Sequence, residues 1–185
     1  MKSIFFALFI AIQFVSLAQS DLKCAEKFIS LLNDYDSTRL DSLLTPDFEL
    51  KRNFVNYHHD REKFMYQYII YNRNFKGKFK ILETISSKNP VQFLVEDQSI
   101  YFDKLQIQYP TWKITLYVKN QQIQKMMLDS TNYYHSYVEE SKLKANPFHD
   151  WIKEKYPEET DEIRSQTPGL MEERLEEYLK QKKNQ

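Results

Sequence analysis

Four stretches between Phe75 and Val118 alternate apolar with polar residues and a fifth, partly apolar stretch follows them; this period of two constrains the fold more than any other feature. A strand with one buried face alternates in this way, because successive side chains point to opposite sides of the sheet. The apolar positions are Phe79, Ile81 and Ile85; Val91, Phe93 and Val95; Leu105, Ile107 and Tyr109; Trp112, Ile114, Leu116 and Val118; and Ile123 to Leu128. Short turns at 87–90 and 120–121 separate some of these stretches. The segment therefore predicts an antiparallel meander with one face in the core.

Three helices are predicted before the meander. Asp21, Asp36 and Asp60 are suited to cap their N-termini, since a short acidic side chain can accept from the exposed backbone N–H groups. We expect the first helix to reach about residue 33 and the third about residue 72. The second should end at 45–47, because Pro46 disfavours helix at the residue before it. A short strand is expected over 48–51.

The last third of the chain predicts two amphipathic helices. Asn146-Pro147 and Thr167-Pro168 each place a cap residue before a proline, which is common in the first turn of a helix. The apolar stripes are Phe148, Trp151, Ile152 and Tyr156, then Met171, Leu175, Tyr178 and Leu179. We expect these helices to dock on the outside of the domain or on a partner protein, because the stripes are too apolar to stay solvated.

The N-terminus is typical of a secretory signal peptide. A basic start at Lys2 precedes an apolar run over 4–17, and Ser16 and Ala18 place small residues before a cleavage site. The run is shorter than the about 20 apolar residues that a membrane span needs. We therefore predict cleavage near Ala18, a secreted or periplasmic protein, and no integral membrane span after cleavage.

Composition excludes several classes of function. Without residues 1–18 the formal charge is −1, so the chain has no general electrostatic attraction to nucleic acid. Gly77 and Gly169 are the only glycines, and no phosphate-binding glycine loop is present. Cys24 is the single cysteine, which excludes an intramolecular disulfide and a cysteine-based zinc site. We expect no cofactor and no bound metal.

The opening of the chain resembles that of a known superfamily. The residues that carry the likeness are Phe28-Ile29-Ser30-Leu31-Leu32, then Asp36, Leu40 and Leu43-Leu44, then Pro46-Asp47-Phe48-Glu49. They are similar to the start of nuclear-transport-factor-2-like proteins, a group that includes SnoaL-like and ketosteroid-isomerase-like members, and the likeness covers about residues 22–128. It implies a curved sheet wrapped around helices, which forms a cone with an apolar pocket.

The predicted fold class is therefore α+β, with three N-terminal helices packed on a curved antiparallel sheet and a C-terminal helical extension. We predict a signal peptide over 1–18, a cone-shaped domain over 19–130 and the helical extension over 131–185. Members of this superfamily include isomerases, dehydratases, hydrolases and non-catalytic binding modules, so the fold alone does not settle the function.

Two sets of candidate site residues follow. The wall of the expected pocket is predicted to include Tyr57, Phe64, Tyr68, Tyr71, Trp112 and Ile114. The segment His58-His59-Asp60 combines titrating bases with a carboxylate and is the candidate for acid–base catalysis. It could instead bind a metal with a third ligand from elsewhere, or form a surface loop in which Asp60 caps the third helix.

Three functions remain open at this point. The favoured one is an exported, non-catalytic module that binds a small apolar ligand or a partner. The alternative is a cofactor-independent acid–base enzyme of the isomerase, dehydratase or cyclase type. The third is an assembly protein whose C-terminal helices dock on a partner. A homodimer through the sheet is compatible with each of them.

Overall fold

The computed structural model describes residues 19–184, so the predicted signal peptide lies outside the described residues. The helices are α1 (19–33), α2 (Ser37–Ser42), α3 (Arg61–Lys63), α4 (Ile69–Asn74), α5 (Ile100–Leu105), α6 (Tyr134–Lys144), α7 (Asn146–Lys155), α8 (Asp161–Gln166) and α9 (Leu170–Lys183). A π-helical turn, Phe64–Tyr68, joins α3 to α4 in one continuous helix. The strands are β1 (Leu44–Arg52), β2 (Tyr57–Asp60), β3 (Lys78–Ser86), β4 (Val91–Gln98), β5 (Thr111–Lys119) and β6 (Gln122–Ser130).

The six strands form one sheet in the order β2-β1-β6-β5-β4-β3. Four neighbouring pairs are antiparallel, as the alternation predicts, but β1 and β6 are parallel. The prediction of a wholly antiparallel sheet was therefore wrong at this pair. A parallel pair needs a long connection between its strands, and the whole segment from β2 to β5 supplies it. The result is a mixed, curved sheet with helices on its concave face.

Pro46 lies inside β1, whereas we expected residues 45–47 only to end the second helix. Helix α2 already ends at Ser42, and the β1–β6 pairing is interrupted between Leu44 and Glu49. Proline has no N–H to donate, so it is tolerated where the ladder is broken. The same break lets the strand change direction before it pairs with β2.

Three other local predictions need correction. Asp21 lies inside α1 and not at its N-cap, because the helix already includes residues 19 and 20. Residues 105–109 are not a strand. The Ser99 hydroxyl caps the N-terminus of α5, this helix ends at Leu105, and a coil follows. Helix α9 begins at Leu170, after Gly169 has adopted a φ of 78°, so the preceding Pro168 lies outside the helix. At α9 the residue that begins the helix therefore lies a few residues from the expected one.

The main core lies between the sheet and the N-terminal helices. Its largest fully buried side chains include Phe28, Phe48, Phe64, Phe93, Ile114 and Leu116. The Phe48 and Phe64 rings are 4.8 Å apart, which joins β1 to the π-helical turn. Burial of each such side chain stabilises the fold by about 1.5–3 kcal/mol, so this aromatic cluster fixes the helices against the concave face.

A second core holds the C-terminal helices. Phe148 and Ile152 of α7 and Leu175 of α9 are fully buried, and they pack with Phe75 and Phe102 at one end of the sheet. The predicted stripes of these helices are therefore docked. Two ion pairs, Lys76–Glu172 at 3.0 Å and Lys104–Glu176 at 2.7 Å, join α9 to the rest of the chain. No helix within residues 19–184 is both long and apolar enough to cross a membrane.

Candidate functional site: the cavity at the end of the cone

Two strands of the sheet carry a charged residue on the face that otherwise forms the core. On β1 the inward positions are Phe48, Leu50 and then Arg52; on β4 they are Val91, Phe93, Val95 and then Asp97. The inward-facing residues that precede Arg52 and Asp97 on these strands are fully or almost fully buried. The pairing of β1 with β6, β6 with β5 and β5 with β4 brings both charged positions to the same end of the sheet.

A cavity of about 140 Å³ lies at this end, between the sheet and the helices. Its lining residues are Arg52, Tyr68, Tyr71, Asn72, Phe75, Gly77, Asp97, Ser99, Tyr101, Phe102, Trp112 and Tyr137. The C-terminal part of the chain contributes Tyr137, from α6. A cavity of about 150 Å³ can hold one benzene molecule, so this space suits a molecule of that size.

Asp97 is the carboxylate of the cavity. The indole N–H of Trp112 donates to its Oδ2 at 3.1 Å, and the Asp97 backbone N–H donates to the Pro110 carbonyl at 2.9 Å. Burial raises the pKa of this carboxyl to about 6, although the Trp112 hydrogen bond and the positive charge of Arg52 act in the opposite direction. The side chain can therefore give or take a proton near neutral pH.

Arg52 is the cation of the cavity. Its guanidinium carbon lies 4.3 Å from the centre of the Tyr57 ring, in a cation–π arrangement. Its Nε is buried and has no hydrogen-bond partner in the part of the chain that the structure describes. Arg52 is also in none of the salt bridges among residues 19–184. Its charge and one of its donors are therefore left unmatched by the protein.

Four tyrosines supply further polar atoms of the cavity, in addition to the side chains of Asn72 and Ser99. Burial raises the pKa of Tyr68, Tyr101 and Tyr137, and it raises that of Tyr71 to about 12. All four phenols are therefore neutral at physiological pH, when each can donate or accept a hydrogen bond. The Tyr101 hydroxyl is 2.7 Å from Nε2 of His149, which fixes its position through helix α7.

The structure places the predicted pocket residues in two groups. Tyr68, Tyr71 and Trp112 line the cavity. Phe64 and Ile114 do not, because both are fully buried in the main core, deeper in the cone. The helix stripe and the strand face pack on each other as expected, and this cavity lies where their apolar residues give way to polar ones.

Tyr57 lies beside the cavity and not in its lining. It is opposite Arg52 in the β1–β2 ladder, and its ring lies under the guanidinium. It also stacks on His59 with ring centres 4.3 Å apart. Tyr57 therefore holds Arg52 in place.

The His58-His59-Asp60 segment is on an edge strand, β2, and not in a surface loop. His58 is exposed, with Nε2 3.4 Å from Oε2 of Glu49, whereas His59 faces the opposite side. Asp60 accepts from the Lys63 backbone N–H at 2.9 Å and so caps α3, as predicted. Within residues 19–184 no three His, Cys, Asp or Glu side chains are grouped closely enough to hold a metal ion.

Sequence reasoning missed nine of the twelve lining residues, and Arg52, Asp97, Tyr101 and Tyr137 are among them. Arg52 and Asp97 carried a usable signal, because each continues the buried phase of a strand as a charged residue. Charged side chains are almost never buried without a partner or a functional reason. Tyr101 and Tyr137 had no such signal, since their helices approach the sheet only in the folded chain.

Comparison with solved structures identifies the fold. The described chain is similar to a proposed ketosteroid isomerase from Kribbella flavida, with 11% identity, 62% of this chain and 80% of that chain covered, and a TM-score of 0.50. It is equally similar to Bal32a from a soil-derived mobile gene cassette, with 14% identity, 60% and 88% covered, and a TM-score of 0.50. No protein-family model matches the chain, and no curated protein matches it in sequence. The sheet and its helices thus have the nuclear-transport-factor-2-like fold, and the resemblance seen in the sequence is confirmed.

Proposed function

We propose that the chain binds a small molecule in the cavity at the end of the cone. The observation that supports this most directly is the convergence of one carboxyl group, one guanidinium group, one indole and four phenols on a partly open cavity of about 140 Å³. Ligand sites typically combine an aromatic wall with a few polar groups that orient the ligand. Because the lining is polar as well as aromatic, the expected apolar ligand becomes an amphipathic one of about the size of benzene.

Two variants of the same helix test this proposal. Tyr71 lines the cavity, whereas Tyr66 is 67% exposed and does not line it. Replacement by phenylalanine removes one hydroxyl in either case, so Tyr66→Phe is a matched control for Tyr71→Phe. We would screen polar fragments of up to ten heavy atoms by NMR and follow the Trp112 indole N–H signal.

We expect fragments that shift the Trp112 signal in the wild type and in Tyr66→Phe. The fragments that hydrogen-bond to the phenol should bind Tyr71→Phe several-fold more weakly, since one net hydrogen bond contributes about 0.5–1.5 kcal/mol. A broad fragment library from which no compound perturbs Trp112 would show that the cavity is not a binding site. Native mass spectrometry of the protein from its own host would then identify any ligand that it retains.

A second candidate function is acid–base catalysis at the same site. Asp97 supports it, because burial gives this carboxyl a pKa of about 6 and neutral phenols surround it. Carbonyl compounds found in the fragment screen would be incubated with the protein in deuterated water. Loss of their α-proton NMR signals in the wild type, but not in Asp97→Asn, would favour an enzyme; exchange at the same rate in both would exclude Asp97 as the base.

We further propose that the protein is exported and that residues 1–18 are removed. The apolar run and the small residues before position 19 support this proposal. N-terminal sequencing of the exported protein should find a start near Gln19. A chain that still begins at Met1 would contradict it.

The homodimer through the sheet also remains a proposal. Strand β3 is at the edge of the sheet and leaves Ile81, Leu82 and Ile85 between 36% and 46% exposed. Apolar side chains on an open edge strand favour association. Sedimentation of the wild type and of Leu82→Lys would test it: we expect a dimer that the lysine converts to a monomer, and a monomeric wild type would refute it.

A further inference from the structure

We propose that the ligand of the cavity is a small organic carboxylate, bound through Arg52, with a hydroxyl or ammonium group that donates to Asp97. This inference rests on the proposed binding function and adds the chemical class of the ligand. It follows from what the two charged side chains lack in the folded chain.

Arg52 lacks an anion. The other arginines that approach the protein interior have one: Arg164 pairs with Asp161, and Arg174 pairs with Glu159. Arg52 has no salt bridge within residues 19–184, and its buried Nε donates to nothing there. A buried donor without a partner destabilises the protein, so the position is costly unless something else binds to it. The guanidinium fork matches the two oxygens of a carboxylate.

Asp97 lacks a second donor. The Trp112 indole holds Oδ2, and within residues 19–184 no side chain forms a hydrogen bond with Oδ1. Asp97 and Arg52 do not form an ion pair with each other, so the guanidinium nitrogens are more than 4.0 Å from the carboxylate oxygens. Both line the same cavity. A ligand that lies between them can place an anion at Arg52 and a hydrogen-bond donor at Asp97.

The other lining residues limit the size and the chemical character of the central part of the ligand. The cavity is too small for a drug-sized molecule, whose pocket is typically 300–1,000 Å³. Aromatic rings of Tyr68, Tyr71 and Trp112 line the same cavity as the two charged side chains. These faces suit a compact apolar or aromatic body, and they also suit an ammonium group through cation–π attraction.

Two matched sets of probes separate the contributions. One set is p-hydroxybenzoate, p-hydroxybenzamide, which has no charge, and benzoate, which has no hydroxyl. The smaller set is lactate, lactamide and propionate. Dissociation constants would be measured at pH 7.5 from the Trp112 indole N–H shift, with Trp151→Phe used to assign that signal.

The variants are Arg52→Met, which keeps the length of the side chain, and Arg52→Lys, which keeps its charge. Lys51→Met is the control, because it removes a positive charge from the residue of β1 that directly precedes Arg52. The Lys51 ammonium lies outside the cavity, 2.7 Å from Glu49. Melting temperatures are recorded without ligand for all three.

We expect a carboxylate of either set to bind at least tenfold more tightly than its amide. Arg52→Met should abolish this preference, Arg52→Lys should retain part of it, and Lys51→Met should leave it unchanged. The Arg52 Nε has no hydrogen-bond partner within residues 19–184, so Arg52→Met without ligand should melt at the same temperature as the wild type or higher. If Arg52 had a structural role, its replacement by methionine would lower the melting temperature.

Three results would overturn the inference. Equal binding of acids and amides would refute the carboxylate while it supports the cavity as a binding site. Binding of chloride or phosphate at Arg52 with the same effect on Trp112, and no gain from an organic body, would show an inorganic anion site. Failure of every probe, together with neutral fragments that do shift Trp112, would refute the ligand class alone; failure of both would refute the binding function as well.

Discussion

Replacement of Asp97 by asparagine should stabilise the protein at neutral pH. Burial raises the pKa of this carboxyl from 3.8 to about 6, so the folded protein holds a proton that the unfolded chain has released. The stability that this proton contributes is fully present below pH 4 and is lost as the pH rises through 6. A shift of about two pH units corresponds to about 3 kcal/mol, at 1.36 kcal/mol per unit. Asparagine carries no charge and can still accept from the Trp112 indole, so it avoids this loss.

The assay is the difference in melting temperature between Asp97→Asn and the wild type, from pH 4 to pH 8. We expect almost no difference at pH 4 and a gain of about 6–12 °C above pH 7, from about 2–4 °C per kcal/mol for a chain of this size. Glu49→Gln is the opposite control, because hydrogen bonds from Lys51 and Lys125 lower the pKa of Glu49 to about 2. Its carboxylate stabilises the protein above pH 4.5, and this contribution is lost only as the pH falls through about 2. The variant should therefore be less stable by about 1 kcal/mol across the whole range, with little dependence on pH. A gain for Asp97→Asn that is constant with pH, or a loss at pH 7, would refute the reasoning.

Two further predictions concern the C-terminal helices. Phe148→Ala should lower the free energy of unfolding by about 3–5 kcal/mol, because Phe148 is fully buried. The control Leu143→Ala should change it by less than about 0.5 kcal/mol, because Leu143 is 77% exposed. Equal melting temperatures for the two variants would show that α7 is not docked. Burial lowers the pKa of His149 below 6.5, so the stability from its neutral form is present above pH 6.5 and is lost as the pH falls below it. The difference in stability between His149→Phe and the wild type, followed by Trp151 fluorescence, should therefore shrink between pH 7 and pH 5. A difference independent of pH would contradict the burial of a neutral imidazole at this position.

The alternation of apolar residues predicted the strands well, since burial on one face leaves a period of two that no other local factor imitates. It held for β4 and β5, whose inward residues are almost completely buried. It failed at Leu105 and Ile107, which are buried but belong to a short helix and a coil that face the C-terminal helices. A pattern of three apolar positions shows that a segment is buried, but it does not show which partner covers it.

The site was harder to predict than the fold, because its residues come from distant parts of the chain. Tyr68, Tyr71 and Trp112 were found from one helix stripe and one strand phase, and each lines the cavity. A stronger clue was that Arg52 and Asp97 interrupt the buried positions of β1 and β4 with a charge. A charge at an inward position means that the core ends there, so the first such position on each strand marks the boundary between packed interior and pocket.

The C-terminal helices contribute to the wall of the cavity at the end of the cone. Tyr137 of α6 lines the cavity directly and packs against both hydrophobic cores. Tyr101, on the opposite side, is held by His149 of α7. The similar solved structures cover about three fifths of this chain but four fifths or more of their own length, so a large part of this chain has no counterpart in them. Since ligand selectivity depends on the groups that line a pocket, the proposed ligand should be selected by these helices as well as by the cone.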